Sequence, residues 1–227
     1  SFRRMSEFTA DTSHELKTPL CAMRGEAEVL LSKRRTPEEY EEGLAHLVER
    51  FDHLNRLIND LTLLSEADSS PVRLEMSPLR LDLLVQNIGN LFQVLAEQKG
   101  ILFEVGPLEE VTVLGDKTRL QQLLTNLLDN AIKYTSKGSI KLTLEKTEGT
   151  AVVNVKDTGM GIPKQEQDKI FKRFYRVDKS RSRETGGIGL GLSIAEWIAH
   201  AHHGVIEVES ELNVGSTFVI RLPVLIP

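Results

Sequence analysis

The chain has 227 residues, 40% of them hydrophobic and 27% charged, which describes an ordinary globular protein of one large domain or two modest ones. Its net charge of −5 argues against a dedicated nucleic-acid binder, and its single cysteine excludes an internal disulfide or a cysteine-rich metal site. No apolar run approaches membrane-spanning length and no signal peptide is legible, so the chain as given is not expected to cross a bilayer.

The sequence opens directly in a helical pattern (Phe2, Met5, Phe8), as if cut from something longer. Residues 2–34 read as one long helix whose stripe is Leu16, Leu20, Met23, Ala27 and Leu30. At about 100° per residue, His14 points roughly 160° away from that stripe, and Thr18 follows one turn later on the same exposed side. Pro19 cannot donate to the carbonyl of Glu15, so a bend is expected at the turn carrying His14 and Glu15. Cys21 adjoins the stripe and is expected to pack against it.

Pro37, Glu38 and Glu39 start a second helix, 37–66, with a stripe of Leu47, Phe51, Leu54, Ile58 and Leu61. The short connection makes the two helices antiparallel. Both stripes are broad for a lone hairpin, so a second copy forming a four-helix bundle is expected. Residues 67–78 lack periodicity and read as a linker.

From residue 79 the pattern turns to mixed helix and strand. A helix is expected over 82–98, short strands at 101–105 and 111–114, and a helix from an Asp116 cap to about Lys133. A hairpin follows over 139–145 and 151–156, then a helix over 189–202 and strands at 204–210 and 216–222. Parallel β-α-β alternation is absent, so the fold class is α+β: a helical hairpin followed by an α/β sandwich. His200, His202 and His203 fall near a helix C-terminus, where imidazolium is mildly favoured.

Four stretches of the second region carry chemistry. Asn126, Asn130 and Lys133 share one helix face, suited either to Mg²⁺ and phosphate or simply to solvent. Asp157-Thr158-Gly159-Met160-Gly161-Ile162 ends a strand: it is a plain turn, or a carboxylate that accepts from an exocyclic amine beside a closely approaching backbone. Residues 186–192, rich in glycine, open a helix and can present N–H groups to phosphate. They match neither a Rossmann fingerprint nor a P-loop. Residues 170–176 lead into a basic, polar run that reads as a solvated loop or as a lid over polyphosphate.

Taken together these stretches resemble the catalytic core of the two-component sensor histidine kinases, over essentially the whole chain. Residues 8–20 resemble that family's H box, 126–134 its N box, 157–162 and 187–192 its glycine boxes, and 171–175 its F box, all in the family's order. The resemblance implies a dimerisation and phosphotransfer hairpin (1–66), the linker, and a Bergerat-type ATP-binding domain (79–227). It implies autophosphorylation of His14 by ATP, with Glu15 polarising the imidazole, and onward transfer to a response regulator receiver domain. Asn130 would ligate Mg²⁺ with Asn126 beside it, Lys133 would touch phosphate, Tyr134 would flank the adenine, and Asp157 would read its amino group.

The same resemblance assigns nucleotide contacts to Gly159, Gly161 and Ile162, to Phe174 and Arg176, and to Gly187, Gly189, Leu190, Gly191 and Leu192. Thr217 would support the base edge, and Thr18, in a His-Glu-x-x-Thr pattern, would place a water for dephosphorylating the partner. The partners implied are a second copy and the receiver domain, not nucleic acid. The location implied is the cytoplasmic part of a bacterial inner-membrane protein, attached through segments absent from this chain. Hydrolytic ATPases of the gyrase and mismatch-repair type share this nucleotide fold but carry a general-base glutamate where this chain has Asn126, whose amide cannot take a proton from water. A non-catalytic ATP-binding scaffold is opposed by the presence of His14, Asn130 and Asp157.

Overall fold

The computed structural model describes residues 2–69, 72–177 and 188–225; the side chains of residues 2–11, 13–15 and 69 lie outside that description. The chain divides into two compact units, Ser1–Val72 and Arg73–Pro227.

The first unit is a hairpin of α1 (Phe2–Leu31) and α2 (Pro37–Ser69). Thr36 caps α2 by accepting from the Glu39 N–H at 3.2 Å, while the Glu39 carboxylate accepts from the Thr36 N–H at 2.9 Å. This reciprocal pair satisfies two backbone donors at the helix start. An Arg50–Glu26 ion pair at 2.7 Å and the seating of Gly43 against Leu30 hold the helices in register. Pro19 lies within α1, which continues to Leu31. In the single chain only part of the expected stripes is covered: Met23, Leu54, Leu57, Leu61 and Leu64 are buried, whereas Leu20, Leu44, Phe51 and Ile58 are exposed. Cys21, expected to pack, is also exposed.

The second unit begins earlier than the pattern suggested. Ser77 and Pro78, read as linker, belong to a strand, β1 (Ser77–Arg80), which pairs antiparallel with β3 (Thr112–Gly115). Four residues that include a proline carry too little alternation to be seen as a strand without their partner. Between them lie α3 (Leu81–Gln98) and β2 (Leu102–Leu108). Then follow α4 (Lys117–Tyr134), β4 (Ser139–Thr147), β5 (Thr150–Asp157), a single-turn α5 (Lys164–Gln167), α6 (Gly191–Ala201), β6 (Val205–Glu211) and β7 (Gly215–Pro223).

The main sheet runs β2-β4-β5-β7-β6. Its pairs are antiparallel except β2–β4, which is parallel and is joined through β3 and α4. The β4–β5 hairpin closes on Glu148-Gly149, both at positive φ, the two-residue turn that matches strand twist. Leu120, Leu123, Leu124, Leu127 and Leu128 of α4 are buried with Ile194 and Ile198 of α6 and with Ile140, Leu142, Leu144 and Ile220 of the sheet. Each such side chain contributes about 1.5–3 kcal/mol.

The α4 start is anchored by a polar knot. Asp116 caps the helix, accepting from the Arg119 N–H at 3.1 Å, and its other oxygen accepts from the Glu75 N–H at 3.0 Å. Burial raises the carboxyl's pKa, but these and the Thr118 N–H together outweigh it and hold the group below its ordinary range. The Asp116 N–H donates to His202 Nε2 at 2.9 Å, and His202 Nδ1 donates to the Ile198 carbonyl at 2.7 Å. That pattern requires the neutral Nδ1–H tautomer. The expected imidazolium at the helix end therefore does not hold for His202: burial depresses its pKa, the Ile198 carbonyl and Asp116 oppose that shift, and the shift remains downward.

A folded-state pKa below the ordinary value near 6.5 means that the unfolded chain takes up the proton first as pH falls. Stability from this group is therefore complete above about pH 6.5 and declines below it, by at most about 1.4 kcal/mol per pH unit. In urea titrations at pH 7.5, 6.5 and 5.5, His202→Gln is expected to flatten this part of the slope. Equal slopes in both proteins would remove His202 as its source.

Candidate functional site

The polar face of α4 carries Asn126, Asn130 and Lys133 opposite its leucine stripe, because positions three and four apart stack along a helix. On β5, period-two alternation buries Ala151, Val153 and Val155 and places Asp157 on the same inward face at the strand's end. These two ends meet at a cavity of about 490 Å³, a size suited to a nucleotide.

Asn130, Lys133 and Tyr134 line the cavity from α4, Asp157, Gly159, Gly161 and Ile162 from β5 and its loop, and Arg176 and Leu192 from either side of residues 178–187. Nine of the sequence-derived positions are thereby brought together. Asp157 is only 5% exposed and its Oδ1 accepts from the Gly159 N–H at 2.8 Å. Burial raises its pKa above the ordinary carboxylate value, while the N–H groups of Gly159 and Ser216 pull the other way. Such a group is ready to accept from a ligand N–H that shields it from water.

The loop after Asp157 is held by β6 and the β6–β7 turn. Ile162 N–H donates to Ser210 Oγ at 2.8 Å, and Gln167 Nε2 donates to the carbonyls of Ile162 and Ser210 at 2.9 and 2.7 Å. Gly161 adopts φ +66, and a Cβ there would run into the Glu211 carbonyl, so no other residue fits. Asn213, also at positive φ, donates its N–H to the Met160 carbonyl at 2.7 Å and lines the cavity.

Lys133 and Arg176 both line the cavity. Burial depresses the Lys133 pKa most, the Arg176 charge depresses it further, and Asp129 partly opposes them. Lys133 Nζ lies 5.1 Å from the Tyr134 ring centroid. Two cations drawn toward one wall favour an anion between them, which fits a polyphosphate. Asn130 offers one neutral amide oxygen to the same cavity. That donor set fits Mg²⁺, which keeps water and phosphate oxygens as most of its ligands.

Other expected positions stand elsewhere. Asn126 Nδ2 donates to the Gly191 carbonyl at 3.1 Å, tying α4 to the start of α6 rather than lining the cavity. Phe174, at φ +59, donates its N–H to the Gly189 carbonyl at 2.9 Å, joining the two sides of residues 178–187, and neither it nor Gly189 lines the wall. Leu190 is buried beneath α6 and Gly191 begins that helix, both off the cavity. Gly187 lies outside the described residues.

Thr217 is also displaced. It pairs with Lys156 on β5, one residue out of phase with Asp157, while Ser216 pairs with Asp157 itself and lines the cavity together with Phe218. The strand register places Ser216 on the cavity side. The sequence reading also missed Ser136, Thr158, Met160, Ile170, Tyr175 and Val177 in the lining. Tyr175 is fixed by donating to the Glu166 carboxylate, which also takes Lys169 Nζ at 3.3 Å.

In the first unit, His14 and Glu15 lie within α1 with side chains outside the described set, and Thr18 is exposed one turn onward. No described helix is long and apolar enough to cross a membrane.

A family model described as "His Kinase A (phospho-acceptor) domain" matches residues 4–70, and one described as "Histidine kinase-, DNA gyrase B-, and HSP90-like ATPase" matches residues 115–226. The chain is 38% identical to a sensor histidine kinase, RppB, of Synechocystis sp., over 99% of this chain and 50% of that protein. It is 35% identical to the sensor protein SrrB of Staphylococcus aureus, over 96% of this chain and 38% of that one. The chain thus spans half or less of the length of these relatives. Among solved structures it is similar to the histidine kinase ThkA in complex with the response regulator TrrA (TM-score 0.73, 28% identity, 97% of this chain, 63% of that one). It is likewise similar to full-length ShkA in complex with AMPPNP (TM-score 0.73, 29% identity, 98% and 46%). The nucleotide-free catalytic domain of ThkA matches at 32% identity (TM-score 0.56, 66% and 96%).

The register of β7 makes a direct prediction. In calorimetric titrations with ADP, Ser216→Ala is expected to weaken binding about threefold to tenfold, the worth of a modest hydrogen bond. Thr217→Ala is expected to leave binding within about twofold, since its side chain faces away. The reverse ranking would place the base on the other face of β7.

Proposed function

We propose, from the premise that this chain belongs to the two-component sensor histidine kinases, that it uses ATP to phosphorylate its own His14 and then passes the phosphoryl group to an aspartate on a response regulator receiver domain. The observation that carries this reading is one cavity in which a buried carboxylate, two cations and an amide oxygen stand together, in a chain whose other unit presents a histidine helix. Residues 1–66 act as the dimerisation and phosphotransfer hairpin, and residues 79–227 as the ATP-binding domain.

Each side chain then has a task. Asp157 accepts from the adenine amino group, with Tyr134 flanking the ring, and Lys133 and Arg176 take the phosphate charge. Asn130 holds Mg²⁺, which supplies charge neutralisation on the phosphate oxygens. His14 attacks through the Nε2 lone pair of its neutral imidazole while Glu15 takes the proton from Nδ1, and ADP leaves with the bond to the γ-phosphate. Asn126 supports transfer to histidine over hydrolysis: its amide is committed to the Gly191 carbonyl and offers water no base. The ThkA–TrrA complex supports a receiver domain as the acceptor.

Homodimerisation rests on the uncovered face of the hairpin. Leu44, Phe51 and Ile58 recur every seven residues on α2 and are 56%, 52% and 43% exposed, with Val48 and Leu20 also open. An apolar seam with heptad spacing is suited to a second copy in a four-helix bundle. Attachment to a bacterial inner membrane belongs to segments outside this chain.

Incubation with radiolabelled Mg-ATP is expected to give an acid-labile, base-stable phosphate that is absent from His14→Gln; label persisting in that variant would end the assignment. For Thr18, the reading is that its hydroxyl places a water for dephosphorylating the receiver domain. Thr18→Ala is expected to lose most of that phosphatase rate while keeping autophosphorylation within about twofold; equal loss of both would make Thr18 structural.

A further inference from the structure

Among the described residues of the second unit, one buried side-chain polar atom has no hydrogen-bond partner: Thr135 Oγ1. Other hydroxyls of the unit are engaged: Thr158 with Ser139, Ser193 with the Leu190 carbonyl, and Ser210 with Gly215 and Ser216. Leaving such a group unmade costs about 1–3 kcal/mol, and a valine of the same shape would avoid that cost. Thr135 is 2% exposed and follows directly on Tyr134, a lining residue, at the C-cap of α4.

Its surroundings show what the hydroxyl is near. A Cβ built on Gly159 would stand 2.5 Å from the Tyr134 carbonyl, 2.8 Å from Asp157 Oδ1 and 3.0 Å from Thr135 Oγ1. Three oxygens therefore close on one small space that only a glycine leaves open. The Tyr134 carbonyl already accepts from the Met160 N–H at 3.2 Å. The Asp157 carboxylate accepts from the Gly159 N–H and the Ser216 N–H, which leaves it acceptor capacity. The hydroxyl with the unused donor thus borders the same small space as Asp157 Oδ1, whose carboxylate keeps acceptor positions open, as the Tyr134 carbonyl keeps one.

We propose that Thr135 is a positioning residue for base recognition: with nucleotide bound, its hydroxyl donates to the Asp157 carboxylate and holds it in the orientation that accepts from the 6-amino group of adenine. This rests on the reading of Asp157 as the base-recognising carboxylate. Thr135 does not line the cavity, so it acts on the base only through Asp157. A donor behind a carboxylate both aims it and helps to keep it ionised in a buried site. Selectivity for a 6-amino purine then depends on a residue that never touches the purine.

The test compares ADP with inosine diphosphate, whose base carries a carbonyl where adenine carries the amino group, by calorimetric titration of the whole chain. Thr135→Val is expected to weaken ADP about tenfold, while inosine diphosphate changes less than about twofold, so that the preference for ADP narrows about tenfold. Thr135→Ser, which keeps the hydroxyl, is expected to retain the wild-type preference. The Tm of the unliganded Thr135→Val protein is expected to be unchanged or higher, since an unpaired hydroxyl has been removed. Thr135→Cys serves as the second hydroxyl-free variant if the valine protein does not fold. Equal weakening of both nucleotides, or an unchanged preference, would overturn the proposal by making Thr135 a packing residue. Asp157→Asn separates the two levels. If it leaves the ADP preference intact, the reading of Asp157 fails. If it abolishes the preference while Thr135→Val does not, only the role of Thr135 fails.

Discussion

A carboxylate at the end of a hydrophobic strand governs much of the second unit. Asp157 occupies the position that the alternation of β5 reserves for the core, after Ala151, Val153 and Val155. Burying a charge there costs several kcal/mol unless donors meet it. The donors are backbone N–H groups, from Gly159 in the following loop and from Ser216 across the β5–β7 ladder. Their approach demands a glycine at 159, because any Cβ would strike the Tyr134 carbonyl and the carboxylate itself. The glycine-rich loop is a consequence of where the acid sits.

The cavity depends equally on fixing α4 and α6. His202 performs this at one end, where its neutral ring accepts from the Asp116 N–H and donates to the Ile198 carbonyl. Asn126 does so at the other, bridging from α4 to Gly191. Between these ties the two helices bury leucines and isoleucines against each other and the sheet. Lys133 and Arg176 are held near one another despite their like charge.

The hairpin works on different physics. Its helices are long, yet much of their apolar surface stays open in the single chain. Two helices cannot enclose a core by themselves, so part of that apolar surface stays uncovered in the single chain.

Apart from β1 and the single-turn α5, the sequence alone determined the order of helices and strands and the α+β class, because leucine spacing and strand alternation are local signals. Asp157, Asn130 and Lys133, singled out in the sequence, line one cavity, and each belongs to a regular element with a readable face. What lies across strands or helices was decided only by the tertiary structure. Ser216 rather than Thr217 lines the cavity because the β5–β7 register pairs it with Asp157, and a register cannot be read from one strand. Asn126 ties α4 to α6 because the Gly191 carbonyl, 65 residues away, comes within 3.1 Å. The charge state of His202 follows from burial and from a donor 86 residues earlier, not from its place at a helix end. β1 exists because β3 pairs with it. Short-range periodicity is written in the chain, whereas pairing and burial arise when distant segments meet.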